Sequence, residues 1–170
     1  MPFAEIEPTP SKRLQRIYLY FFQDWWPGCQ RVGFPTLKKL TEAFKDNDQV
    51  MFWAVQTVFE GYNINSRAKL RKNQLKYDVK IPMAHAPGNT ETHEIPQIMR
   101  DYRSGGTPWA VIVDRQGTVI YNHFHIEADQ AVAVIQELLA KDGFKNSEVG
   151  MRPSTSSGET KSENIQQDWI

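Results

Sequence analysis

The richest chemistry in this chain belongs to one thiol. Cys29 is the single cysteine among 170 residues, set in FFQDWWPGCQR at positions 21–31. One cysteine cannot close an intramolecular disulfide, so no staple holds the fold. What it can do is form mixed disulfides, take up glutathione or be oxidised to a sulfenic acid. All three need the thiolate, and a free thiol has a pKa of about 8.5. Pro27 and Gly28 break the preceding run, and Val32, Phe34, Leu37, Leu40 and Phe44 then recur at helical spacing. Cys29 is therefore expected in the first turn of a helix, where unpaired N–H groups favour an anion. Arg31 would add positive charge, whereas burial under Trp25 and Trp26 would push the other way. Residue types alone leave a reactive thiol and an inert buried cysteine both open.

The remaining candidates are weaker. His123 and His125 alternate on an expected strand, and His85 and His93 fall on loops or a helix start. No spacing matches a zinc signature, so the first two read as polar ends of a hairpin strand. No metal and no cofactor are expected. Twenty basic residues balance twenty acidic ones, which argues against a dedicated nucleic-acid binder. The basic stretch RAKLRK reads as a solvated helix face. No apolar run approaches the roughly 18 residues of a membrane helix. The opening MPFAEIEPTPSKRLQR lacks the basic and apolar regions of a signal peptide. The expectation is a cytoplasmic protein with no membrane or nucleic-acid partner.

The elements that must position the thiol follow from periodicity. IYLYFF (17–22) and VMFWAVQTV (50–58) read as buried strands, with the Cys29–Phe44 helix between them and Pro35 kinking it or marking its early turns. A basic helix is expected over 64–76, a short strand around Lys80 to Ala84, and a short helix over 94–103. TPWAVIVD, the turn Arg115-Gln116-Gly117 and TVIYNHFHI read as a β-hairpin. Residues 127–143 read as a helix with acidic groups in its first turn and Gly143 as its cap. The resulting domains are an arm at 1–16, a folded unit at 17–143 and a disordered polar tail at 144–170. Alternating strands and helices imply an α/β fold, a central mixed sheet with helices on both faces.

At four places this layout resembles the thioredoxin superfamily, in its redoxin or TlpA-like branch. The first strand runs into FQDWWPGCQR, which looks like that family's strand, Trp and Cys-Pro-x-Cys at a helix start. Pro35 lies inside that helix. VMFWAVQTVFE looks like the second strand ending near an acidic residue. GGTPWAVIVDRQGTVIY looks like the Gly-x-Pro segment, strand, Asp-x-x-Gly turn and strand. The likeness spans roughly residues 17–142 and implies a thioredoxin-like fold.

The chain departs from the family where chemistry is concentrated. The place of the nucleophilic cysteine is held by Trp26, and Cys29 falls on the second, resolving cysteine. The resemblance therefore implies a thiol–disulfide oxidoreductase fold without a dithiol cycle, acting on a protein thiol, a disulfide or glutathione through Cys29 alone. It also implies that Thr107–Pro108 is a cis peptide lining a substrate groove with Trp25, Trp26, Pro27, Gly28 and Trp109. Glu60 takes the place of the branch's proton-transfer carboxylate. A non-catalytic module binding a peptide or protein in that groove is the alternative. A single-cysteine peroxidase is a third reading, although Trp26 and Phe22 stand where peroxidases of that kind carry threonine and proline.

Overall fold

The computed structural model describes the chain over residues 15–148. Its strands are β1 (Arg16–Phe22), β2 (Val50–Val58), β3 (Met83–Pro87), β4 (Trp109–Val113) and β5 (Val119–Phe124). Its helices are α1 (Phe34–Ala43), α2 (Ala68–Tyr77), α3 (Gln97–Asp101) and α4 (Ala128–Glu148). The sheet order is β3-β2-β1-β4-β5. β1 and β2 run parallel, as do β2 and β3, while β4 is antiparallel to both β1 and β5. The parallel half needs helical crossovers, and the antiparallel half closes with a hairpin.

Each strand sends alternate side chains to opposite faces. On one face Tyr18, Tyr20, Phe22, Phe52, Ala54, Ala110 and Ile112 pack with Leu37 and Leu40 of α1 and with Ala131 and Ile135 of α4. On the other, Phe21, Val55, Val111 and Val113 pack with Ile98 and Tyr102, in and just after α3. Helices thus cover both faces, unequally, and the larger core lies under α1 and α4.

Several boundaries differ from expectation. Arg16 opens β1 rather than ending an arm. It is 1% exposed, and its guanidinium donates to the Leu138 carbonyl at 3.2 Å. β3 starts at Met83, not Lys80, because Pro82 has no N–H for the ladder and contributes only its carbonyl, to the Ala54 N–H. α4 continues through Gly143 to Glu148, so that glycine is not a cap. From residue 149 the expected tail lies outside the described residues, as does the arm before residue 15. His125 is not in β5: it follows the strand with φ of 54°, and its N–H donates to the Pro108 carbonyl.

Candidate functional site around Cys29

Helical backbone begins at Pro27, a residue that suits a first turn because its missing N–H would have no helical partner. Residues Cys29–Gly33 form one wide π-helical turn, closed by the Phe34 N–H bonding the Cys29 carbonyl. Pro35 follows at once in the first turn of α1. Having no N–H, it cannot bond the carbonyl four residues back, and the helix passes the proline by widening rather than breaking. The Tyr20 hydroxyl reaches into this turn from β1 and also donates to the Cys29 carbonyl, at 3.0 Å.

Cys29 is fully buried. The Gln23 backbone N–H points at its sulfur, 3.5 Å away, and the hydroxyls of Thr107 and Tyr20 also reach it. Burial nevertheless dominates and raises the thiol pKa, while those hydrogen bonds lower it only in part. Arg31, expected to stabilise a thiolate, is an exposed side chain and contributes nothing to that balance. Because the native pKa lies above that of the unfolded thiol, the protonated group contributes stability that is complete below the unfolded value and fades as pH rises through the native one. Burial pushes Tyr18 and Tyr20 upward as well, so they act in the same alkaline direction. Alkylation of the native protein should therefore be far slower at pH 8 than after urea unfolding. The denaturation midpoint should fall from pH 8 to pH 10, and less steeply in Cys29→Ala. Free-thiol alkylation rates in the native protein at neutral pH would contradict this burial.

The residues before Cys29 are held by polar groups that sequence reading missed. Gln23, 1% exposed, accepts from Trp25 Nε1 at 3.0 Å and from Asn65 Nδ2 at 3.2 Å. Asn65, 2% exposed, also donates to the carbonyls of Glu60 and Gly61 and accepts the Asp24 N–H at 2.6 Å. Gly61, with φ of 59°, lies against the Trp25 indole, where an added Cβ would sit 2.8 Å from Nε1. Asn65 thus clamps the loop after β2 onto the segment after β1. Glu60 is exposed and meets Gln23 Nε2 at 3.4 Å, so Gln23 connects it to this clamp and not to the sulfur.

α2 supports the same segment from the other side. Lys69 pairs with Asp24 at 2.8 Å, Asn73 donates to Asp24 at 2.7 Å, and Lys76 donates to Gln30 at 2.9 Å. The Tyr77 hydroxyl bonds the Gln30 carbonyl and side chain. The basic helix is therefore not only a solvated face, because Lys69 and Lys76 are tied to Asp24 and Gln30, which flank Cys29.

The expected groove residues come together, in a closed arrangement. The Thr107–Pro108 peptide is cis, and both residues are buried. A Cβ added at Gly28 would lie 2.9 Å from Trp26 Nε1 and 3.4 Å from Pro108 Cδ, which places indole and proline ring at one spot over the helix start. Trp25 and Trp26 meet edge to face at 5.4 Å and are 37% and 41% exposed, and Pro27 beside them is exposed. Trp109 is occupied by β5: its Nε1 donates to Asn122 at 2.7 Å and its ring stacks on His123. Among the described residues no cluster of His, Cys, Asp and Glu could hold a metal, and no helix is long and apolar enough to cross a membrane.

No protein-family model matches this sequence, and no curated protein matches it. Solved structures do. A thioredoxin-like superfamily protein is similar at 28% identity and a TM-score of 0.67, over 75% of this chain and 81% of that one. A thiol-disulfide isomerase from Corynebacterium glutamicum is similar at 26% identity and a TM-score of 0.66, over 75% and 82%. StoA from Bacillus subtilis, 16% identical with a TM-score of 0.52 over 72% and 82%, shares the fold alone. The mixed five-stranded sheet, the helix opening at Cys29 and these likenesses together make the chain a member of the thioredoxin-like superfamily.

Proposed function

We propose that this protein is a thioredoxin-fold binding module that recognises an extended segment of a protein or peptide without a dithiol cycle. Its recognition surface is Trp25, Trp26 and Pro27, with Gly28, Thr107 and Pro108 beneath. One observation carries the reading: the only thiol is wholly buried while two indoles beside it stand 37% and 41% exposed. Two rigid aromatic side chains supply contact area at small entropic cost, and such residues dominate binding hot spots. Trp26 lies three positions before Cys29, the spacing of a Cys-x-x-Cys pair, and an indole has no redox chemistry with a disulfide.

The test is selection of a random peptide library on the immobilised protein, followed by titration of the recovered peptides. Trp26→Ala is expected to weaken binding by at least about 30-fold, the effect of one hot-spot residue of ~2 kcal/mol. Cys29→Ala should change affinity less than about twofold, well under 1 kcal/mol. The reverse pattern would overturn this reading.

A second reading rests on the Gln23 N–H and the Thr107 hydroxyl, which face the sulfur. They would stabilise a thiolate if the Trp26 side chain swung away. Cys29 would then exchange with a protein disulfide or with glutathione disulfide, its sulfur bonding one sulfur of the partner as the other leaves as thiolate. Loss of function in Cys29→Ala, with Trp26→Ala unimpaired, would favour it. Glu60, exposed and with its carboxylate meeting Gln23 rather than the sulfur, has no place in the first reading.

A further inference from the structure

We infer, on the binding-module reading, that Asn65 is a positioning residue for the surface: it fixes Trp25 as a rigid carbon platform for one apolar side chain of the partner and leaves Trp26 to adjust. The two indoles are adjacent, similarly exposed and in edge-to-face contact, yet they are held differently. The Trp25 indole N–H donates to Gln23 Oε1, and that same oxygen accepts from Asn65 Nδ2. Gly61 closes the same edge of the indole, where an added Cβ would stand 2.9 Å from Cδ1. The polar edge of Trp25 is thus turned into the protein, and what it exposes is carbon.

The residue before Trp25 is held as firmly, because every polar atom of Asp24 is paired. Its N–H donates to Asn65 Oδ1, its carbonyl accepts from Gln30 Nε2 at 3.0 Å, and its carboxylate oxygens take Lys69 and Asn73. Asn65 therefore reaches Trp25 by two routes, through Gln23 to the indole and through Asp24 to the backbone. Its own backbone N–H bonds the Gly61 carbonyl at 2.9 Å, so side chain and backbone grip the same turn. Trp26 has backbone ties to Gln23 and Gln30, but among the described residues no hydrogen bond holds its indole. That N–H can donate to a carbonyl of the partner. Ordering a side chain on binding weakens affinity. The clamp orders Trp25 already in the free protein, whereas Trp26 is ordered only in the complex.

The test titrates the peptides recovered from the random library. Asn65→Ala should weaken their binding about fivefold, the effect of leaving one large side chain to be ordered on binding, with unchanged circular dichroism. In a Trp25→Ala background the same substitution should change affinity less than about twofold, because its effect runs through that indole. In a Trp26→Ala background it should keep its full effect. A merely structural role would weaken binding equally in all three backgrounds. The peptides should share an apolar side chain whose truncation to alanine loses its effect against Trp25→Ala. NMR relaxation of the unmutated protein needs no variant of Asn65. The Trp25 indole N–H should have an order parameter near the rigid value of about 0.85, and that of Trp26 one below about 0.6. Equal order parameters, an Asn65→Ala effect undiminished in Trp25→Ala, or a charged peptide side chain coupled to Trp25 would overturn this inference and leave the binding module standing. A library that yields no binding peptide would overturn the binding module, and this inference with it.

Discussion

Trp26→Cys should convert this protein into a dithiol oxidoreductase. The unmutated chain is expected to show only background reduction of insulin, because its single thiol is buried and has no partner thiol. In the variant, the introduced thiol would replace a side chain that is 41% exposed, directly before the helical backbone that starts at Pro27. Exposure and unpaired helix-end N–H groups both favour a reactive thiolate there. Cys29 would then act as the sheltered second thiol: the introduced thiolate attacks the substrate disulfide, and Cys29 displaces the reduced substrate as the disulfide between positions 26 and 29 forms. Removing the indole also opens space beside Gly28, next to the Pro108 ring. The disulfide should form in air and be detectable as the loss of two titratable thiols. Its reduction potential should fall within about −120 to −270 mV, the range from DsbA to thioredoxin. Turnover by the unmutated protein at the variant's rate would end the proposal of a binding module. Failure of the disulfide to form under oxidising conditions would mean that the helix start departs from dithiol geometry.

The second large effect concerns the support under the site. Gly33→Ala should cost about 3 kcal/mol, the upper part of the usual range for overpacking. An added Cβ would stand 2.1 Å from the Tyr20 hydroxyl oxygen and 2.6 Å from the ring carbon bearing it. Alanine's better helix propensity offers only about 1 kcal/mol in return. Tyr20 cannot yield: it is 2% exposed, stacks on Phe22 at 5.6 Å and meets Phe34 edge to face at 5.3 Å. Tyr20→Phe alone should cost roughly 1 kcal/mol for its lost hydrogen bond to the Cys29 carbonyl. Adding it to Gly33→Ala should recover part of the loss, because the closest contact goes with the hydroxyl. Urea unfolding of the four proteins closes the cycle. A Gly33→Ala variant as stable as its parent would refute the close approach of the helix to β1.

Much of the site was legible because it is local in sequence. The Trp-Trp-Pro-Gly-Cys run, the helical spacing after it and the Thr107-Pro108 strand entry each lie within a few residues. Their residue types constrain backbone directly, through missing N–H groups and side-chain periodicity. The boundaries that moved, at Arg16, Met83 and Gly143, had reasons that the local pattern under-weighted. Arg16 is buried against a carbonyl 122 residues away, and a charged side chain at a strand start resembles an arm until that partner is known.

Residue type and spacing were enough to establish the alternation of strands and helices, the resemblance to a thioredoxin fold and the lack of any second thiol. The burial of that thiol was decided only in the folded chain, because solvent access to the sulfur depends on the elements packed around it. Folding also brought Gln23 and Asn65, 42 positions apart, together to hold Trp25 in place, and set Trp26 and Pro108 on the two sides of Gly28. Burial and hydrogen bonding are properties of the folded neighbourhood, and no local pattern records which distant side chain will fill it.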